Sequence, residues 1–247
     1  MTKPLDIIIL AGGRGSRLGY DIPKPLLLLN KKTLLSYVLD VAVSLRPRRI
    51  ITVVPTDSNL IKNEAVSIFN DVEFAVQEKP FGTGDAAMAG VKLLDDDGIV
   101  LVLCADTPFL KTSDLKKTVT AVNNCLSIMI FSDDNSCSYG RVIRKQNGDI
   151  SIIENLDLNV KQSDTNEVFS GVMAGDCQWM RENLPELNCE NKAGEFYLTG
   201  LCELAGKKKY KVATVLADKG NSVGINTVFD FENAKKLIEV NKQFNNN

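Results

Sequence analysis

Four short apolar runs separated by segments of helical period, in a chain long enough for one sizeable core, predict an α/β protein with a mostly parallel sheet flanked by helices. The strand-like runs are Ile7 to Leu10, Ile50 to Val54, Val72 to Val76 and Ile99 to Cys104. Such near-continuous apolar strands suit a sheet covered on both faces. Between them, Thr33 to Leu45, Ser58 to Phe69 and Thr83 to Leu94 carry the apolar spacing of helices, and each opens at a Thr or Ser suited to N-capping. The alternation implies right-handed βαβ units, with ligands at the carboxyl ends of the strands. A length of 247 residues, 44% hydrophobic and 24% charged, fits one large globular domain, residues 1–247.

The second half is less regular. Ser127 to Ser132, Gly140 to Arg144, Ile150 to Glu154 and Val168 to Ala174 read as further strands. Two of them are joined across Gln146-Asn-Gly-Asp149, whose Asn-Gly step is a strong hairpin signal. A smaller antiparallel lobe beside the parallel sheet is the expectation. Phe196 to Ala205 and Val228 to Phe244 read as helices, and Gln243 to Asn247 as a frayed end.

Composition excludes several function classes. A formal charge of −2 offers no basic excess to neutralise a nucleic-acid backbone, so any anion site must be local. No apolar run approaches the ~20 residues that cross a bilayer, and the first strand begins too early for a signal peptide. The expectation is a cytoplasmic protein with no membrane partner. Six cysteines are scattered without a Cys-x-x-Cys pair, and there is no histidine. Reduced, mostly structural thiols are expected, with no zinc site. Histidine triads, histidine bases and histidine-ligated metals are excluded outright. The chemistry must rest on phosphate, carboxylate, lysine, arginine or an oxygen-bound metal.

One such site is suggested at the end of the first strand. Leu10-Ala-Gly-Gly-Arg-Gly-Ser-Arg-Leu18, with Pro23-Lys24-Pro25 close behind, runs from a strand into a glycine-rich loop. Gly12, Gly13 and Gly15 are expected to turn the chain with positive φ and to clear Cβ atoms from the approach of an anion. Arg14, Arg17 and Lys24 add three cations. A plain strand-to-helix turn with solvated basic residues would also fit this stretch. The spacing matches neither a P-loop nor a dinucleotide fingerprint. Gln77-Glu-Lys-Pro-Phe-Gly-Thr-Gly-Asp-Ala-Ala87 follows a second strand and opens a helix, with Thr83 available as its cap. Cys104-Ala-Asp106-Thr-Pro108 closes a third strand with a carboxylate, and a strand-end Asp can equally be a cap or turn former.

Together these segments resemble the sugar-phosphate nucleotidyltransferases. The glycine segment is similar to their Leu-Ala-(Ala/Gly)-Gly-x-Gly-(Ser/Thr)-Arg-(Leu/Met)…Pro-Lys signature, and the Gln77 segment to the Gln-x-x-x-x-Gly-Thr-Gly-x-Ala of the bacterial N-acetylglucosamine-1-phosphate uridylyltransferases. Tyr139-Gly-Arg, Ile153-Glu154, Asn191-Lys-Ala-Gly-Glu-Phe-Tyr-Leu-Thr199 and Val223-Gly-Ile-Asn226 follow in the family's order. The resemblance implies a Rossmann-like nucleotidyltransferase fold of GT-A type, in which residues 1–110 mainly bind nucleotide, 111–227 mainly bind sugar and 228–247 form a C-terminal helix. It implies transfer of UMP from UTP to a sugar-1-phosphate, foremost N-acetylglucosamine-1-phosphate, with CTP, dTTP or GTP, another sugar, or a nucleotide-sugar sensor with decayed catalysis as alternatives.

Arg17 and Lys24 then become the catalytic cations. Leu10, Ala11, Gly12, Gly13, Arg14 and Gly15 would hold the nucleotide's phosphates, and Gln77, Gly82 and Thr83 its base. Gly140, Glu154, Phe169, Tyr197 and Thr199 would surround the sugar, although Glu154 and Tyr197 by themselves read as a solvated hairpin residue and a half-buried core aromatic. Asp106 and Asn226 would bind Mg²⁺, which takes few protein oxygens. Phe169-Ser170-Gly171 stands where relatives have Asn-Thr-Gly, Cys104-Ala105 replaces a Tyr-Gly pair, and Gly200 replaces an Asp. No segment resembles the β-helix acetyltransferase domain that follows in many relatives, so acetyl transfer is not expected. A monomer or weak homo-oligomer is the expected state.

Overall fold

In the computed structural model of the chain, residues 3–13, 15, 19, 21–134, 139–159 and 165–245 are described, with side chains through residue 239. The four early strands form as expected, as β1 Leu5–Leu10, β4 Arg49–Pro55, β5 Glu73–Gln77 and β6 Ile99–Cys104. A short hairpin, β2 Leu28–Leu29 and β3 Lys32–Thr33, precedes the first helix. β1 lies between β4 and β6, parallel to both, and β5 extends the sheet beyond β4. The chain thus moves outward from β1 to β5 and returns to the other side of β1. That switch point opens a crevice at the carboxyl ends of β1 and β6.

The alternation of side chains along β1 divides the core. Ile7 and Ile9 pack with Leu35, Val38 and Leu39 of α1 (Leu34–Ser44), Ile61 of α2 (Asn59–Ile68) and Leu115 of α4 (Thr112–Thr120). Ile8 faces the opposite layer. There it meets Ala86, Ala87 and Val91 of α3 (Thr83–Val91), continuous with Trp179 and Met180 of α5 (Cys177–Asn183) and Leu201 and Ala205 of α6 (Gly200–Lys207). A strand buried on both faces needs this continuous apolar run, because successive residues serve different layers.

β7 Leu126–Ser132 and β10 Glu167–Asp176 add the antiparallel part of the sheet, with β10 between β6 and β7. The expected hairpin forms between β8 Arg141–Arg144 and β9 Ile150–Ile153, with Gly148 at φ +82° in its turn. It hangs from β10 through the Val168–Arg141 pair. β11 Ala213–Leu216 closes the far edge parallel to β7, and α7 Val228–Asn245 packs Phe231 and Ala234 over Leu27, Leu29, Leu34 and Ile225.

Several local expectations are corrected. Thr33 caps α1, accepting from the Ser36 amide at 3.0 Å. Ser58 makes no side-chain cap bond, and the N-cap of α3 is Gly82 rather than Thr83. The helix expected from Phe196 starts only at Gly200, because residues 196–199 run alongside residues 81–84 instead. α7 continues to Asn245, past the expected onset of fraying. α4, α5, β11 and the β2–β3 hairpin are additions to the elements that the sequence pattern predicts.

Candidate functional site

At the switch point a cavity of 320 Å³ meets a second of 290 Å³, and Leu10, Thr83, Cys104, Asp106 and Glu195 line both. Gly12, Gly13, Gln77 and Gly82 line the second cavity, over β1 and β5. Gly140, Glu154, Phe169, Tyr197, Thr199 and Asn226 line the first, beneath the β8–β9 hairpin. Residues separated by more than two hundred positions are thereby gathered around one crevice. Ala11 stays outside it, 1% exposed, with its amide donating to Val53 O at 2.8 Å. Arg14 and Arg17 lie outside the described residues.

The glycine loop differs in detail from expectation. Of Gly12, Gly13 and Gly15, only Gly15 has a positive φ, +65°. The other two provide clearance. A Cβ on Gly12 would lie 3.0 Å from Gln77 Oε1, and one on Gly13 would lie 3.9 Å from Lys24 Cδ. The space without side chains is therefore filled partly by the protein's own Gln77 and Lys24. Gln77 is buried, and its amide nitrogen donates to Gly82 O at 3.0 Å and to Asp85 Oδ2 at 2.8 Å. Those two bonds use both N–H donors of a primary amide, so a base in this cavity meets the carbonyl oxygen.

Thr83 does not cap its helix. Its hydroxyl accepts from the Leu198 amide at 3.0 Å, while the Gly84 amide donates to Phe196 O at 2.7 Å and the Phe196 amide to Phe81 O at 2.7 Å. These bonds strap the wall of the second cavity to that of the first. Gly82, at φ +101°, permits the contact, since a Cβ there would stand 2.6 Å from Phe196 O.

In the first cavity, Glu154 is no solvated hairpin residue. It accepts from Thr199 Oγ1 at 2.9 Å, and burial raises its pKa, with Asp157 and Glu195 adding to the rise and the Thr199 hydroxyl opposing it. Burial likewise pushes the Tyr197 phenol up to about 12. Phe169 is 9% exposed, belongs to the core and lines the cavity with an apolar side chain that offers no hydrogen bond. The register of β10 against β7 shifts between Phe169 and Met173, with Gly171 at φ +86° in the bulge. Cys104 Sγ contacts Gly171 O at 3.7 Å, and burial, with Asp106 adding to it, pushes its thiol up to about 12.

Asp106, which lines both cavities, anchors the charged group. Lys24, 8% exposed, forms an ion pair with Asp106 Oδ2 and donates to Asn226 Oδ1 at 2.8 Å. The Ile225 amide donates to Asp106 O at 2.9 Å, binding the last loop to the end of β6. Asp230 Oδ2 accepts from the Asn226 amide at 3.0 Å and the Thr227 amide at 2.8 Å, fixing Asn226 at the start of α7. Asp230 and Tyr139, neither of them among the expected site residues, complete the frame. Tyr139 Oη donates to Gly224 O and accepts from Gly224 N, both at 3.0 Å, and its ring meets Phe131 edge-on at 5.2 Å. Asp230 closes a local capping box with Thr227, the Asp230 amide donating to Thr227 Oγ1 at 3.2 Å, whereas the partner of Tyr139 lies 85 residues away and is defined only by folding. Among the described residues no group of three or more Cys, Asp or Glu could hold a metal; the oxygen pair of Asp106 and Asn226 converges on a cation nonetheless.

The family model of the MobA-like NTP transferase domain matches residues 7–148. The chain belongs to this family. It is a nucleotidyltransferase. The bifunctional protein GlmU of Buchnera aphidicola subsp. Acyrthosiphon pisum is 30% identical over 247 residues, covering 99% of this chain and 53% of that protein. GlmU of Paraburkholderia phymatum is 33% identical over 226 residues, covering 90% of this chain and 49% of that one. The chain spans about half the length of the curated relatives it matches. Its fold is shared by a UDP-glucose pyrophosphorylase complexed with UDP-glucose, with a TM-score of 0.79 at 17% identity over 98% of this chain and 100% of that one. A 4-diphosphocytidyl-2C-methyl-D-erythritol synthase from Anaerococcus prevotii has a TM-score of 0.68 at 18% identity, covering 96% of this chain and 99% of that one. Among the described residues no helix is long and apolar enough to cross a membrane.

Proposed function

We propose that this nucleotidyltransferase transfers UMP from UTP to a sugar-1-phosphate, foremost N-acetylglucosamine-1-phosphate. A phosphate oxygen of the sugar phosphate attacks the α-phosphorus, the bond from that phosphorus to the bridging oxygen breaks, and pyrophosphate leaves. The nucleophile is already an anion, so the lack of histidine costs nothing. The observation that carries this reading is Asp106, which lines both cavities and is joined through Lys24 to Asn226 of the first, where an α-phosphate would lie between the two substrates.

Catalysis of this kind is positioning and charge stabilisation. The Gln77 carbonyl oxygen can accept from the uracil N–H, and the ribose and phosphates would run past Gly12 and Gly13 toward Lys24. Glu154 and Thr199 would hold sugar hydroxyls, and Tyr197 would cover the ring. Arg17 joins Lys24 in neutralising the leaving pyrophosphate in this proposal. An Asp oxygen and an Asn carbonyl form a hard donor pair, and both already converge on the Lys24 ammonium, so they fit a divalent cation such as Mg²⁺. When bound there, the metal would supply charge neutralisation and alignment of the phosphates.

Phe169 favours a second reading in which the mechanism is kept and the sugar differs, since its ring cannot offer the hydrogen bonds of an amide. Pyrophosphate release from UTP, CTP, GTP or dTTP with a panel of sugar-1-phosphates separates the two. Release with UTP and N-acetylglucosamine-1-phosphate supports the proposal, release with another pair reassigns the substrate, and silence with intact UTP binding marks a sensor.

A further inference from the structure

The point on which Asp106 and Asn226 converge already holds a cation, and the chain is built to deliver it. Lys24 opens a short 3₁₀ turn, Lys24–Leu26, flanked by Pro23 and Pro25, with the Leu26 amide donating to Pro23 O at 2.9 Å. Two prolines fix the backbone from which the side chain leaves. The stem then crosses beneath the glycine loop. A Cβ on Gly15 would lie 2.9 Å from Lys24 Cβ, so the glycine there makes room for the lysine itself. The ammonium ends buried between a carboxylate and an amide oxygen, the two groups assigned above to a divalent metal.

Two cations cannot share that point. An ammonium on a flexible four-carbon stem can leave it without backbone movement, provided an anion is present to receive it. Magnesium is dehydrated reluctantly, and two protein oxygens offer it little unless other oxygens join them. A triphosphate lying along the glycine loop meets both needs, since it can accept the ammonium and lend oxygens to the metal.

We propose that Lys24 is a resident internal cation: it holds Asp106 and Asn226 in register in the nucleotide-free protein, excludes free divalent metal, and yields the point only to metal arriving with a nucleoside triphosphate. The proposal rests on the reading of Asp106 and Asn226 as metal ligands. It assigns Lys24 a role before any chemistry, in the order of binding, in addition to its role toward the phosphates.

The test measures Mn²⁺, as a paramagnetic stand-in for Mg²⁺, binding to the full chain without nucleotide, by loss of the free-ion resonance. Wild type and Lys24→Arg should bind weakly. Lys24→Met should bind tighter by on the order of ten- to a hundredfold, because the charge-assisted bonds that compete with the metal are gone. Adding Asp106→Asn to Lys24→Met should abolish the gain. Lys24→Gln replaces Lys24→Met if the latter lacks the wild-type circular dichroism spectrum. Equal Mn²⁺ affinity in wild type and Lys24→Met would overturn the proposal, as would a gain that survives Asp106→Asn. A companion titration separates this failure from that of the metal reading. If Mn²⁺ strengthens UTP binding to wild type but not to Asp106→Asn, the ligands stand and only the exclusion by Lys24 falls; if it strengthens neither, both fall.

Discussion

Tyr139→Phe isolates the bond that ties the segment entering the β8–β9 hairpin to the loop carrying Asn226. The ring and its edge-on contact with Phe131, at an interplanar angle of 82°, survive the change, and only the hydroxyl is lost. Burial, with Asp230 adding to it, holds the phenol well above its usual pKa, so at neutral pH it is protonated and able to donate. Gly224 is buried, and both its amide and its carbonyl lose their Tyr139 partner. An orphaned buried group costs about 1–3 kcal/mol, and water from the open cavity recovers part of this, leaving about 2–4 kcal/mol for the pair. At about 2–4 °C per kcal/mol for a domain of this size, Tm should fall by about 4–16 °C. Asn226 lies two residues beyond the lost anchor, so the Mg²⁺ concentration for half-maximal pyrophosphate release should rise along with it. Urea unfolding and a Mg²⁺ titration of activity read the two effects. A stability change below about 0.5 kcal/mol, the range of ordinary surface substitutions, together with an unchanged Mg²⁺ requirement, would refute the reasoning.

Three further outcomes are expected. Glu154 has a native pKa raised above its ordinary 4.5, so the folded state binds its proton more tightly than the unfolded chain. Unfolding free energy therefore falls as pH rises from 4.5 through the native value, and Glu154→Gln should melt higher than wild type at pH 7, with the gap closing below pH 4.5; parallel melting curves would dismiss the burial argument. Gly82→Ala forces a Cβ at φ +101° to within 2.6 Å of Phe196 O and should cost more than the ~1–3 kcal/mol of backbone strain alone, whereas Gly19→Ala, at φ +68° with open space, should cost the strain only; equal losses in urea unfolding would count against the strap. Phe169→Asn should raise kcat/KM for N-acetylglucosamine-1-phosphate about tenfold relative to wild type, the worth of roughly one hydrogen bond, at some loss of stability from an underfilled core, and an unchanged or lower kcat/KM would show that this ring does not limit the acceptor.

Strand and helix follow from the period of apolar residues, so elements with a clear period are legible in the sequence. β6 matches the expected Ile99 to Cys104 run residue for residue. α4 escaped notice because its turn buries only Asp114, Leu115 and Thr118, too few apolar positions to show a helical stripe. β11 is four residues at a sheet edge, where one neighbour suffices and no strong alternation is demanded. Thr83 looked like a helix cap because the alternative use of its hydroxyl, on Leu198, lies 115 residues away.

The candidate site divides in the same way. The strand-end glycines, the acidic end of β6 and the absence of histidine are properties of the chain as written, and they suffice to point to phosphate chemistry without a histidine base. That Lys24 should reach Asp106, 82 residues on, and Asn226, 202 residues on, is decided only when the sheet places the ends of β1 and β6 side by side and the last loop returns over them. The same closure sets the Phe169 side chain in the cavity wall and hangs the Asn226 loop from Tyr139. Local patterns are set by interactions over three or four residues; the charges, donors and orphaned groups of a site are set by whichever distant segments packing brings within 3 Å.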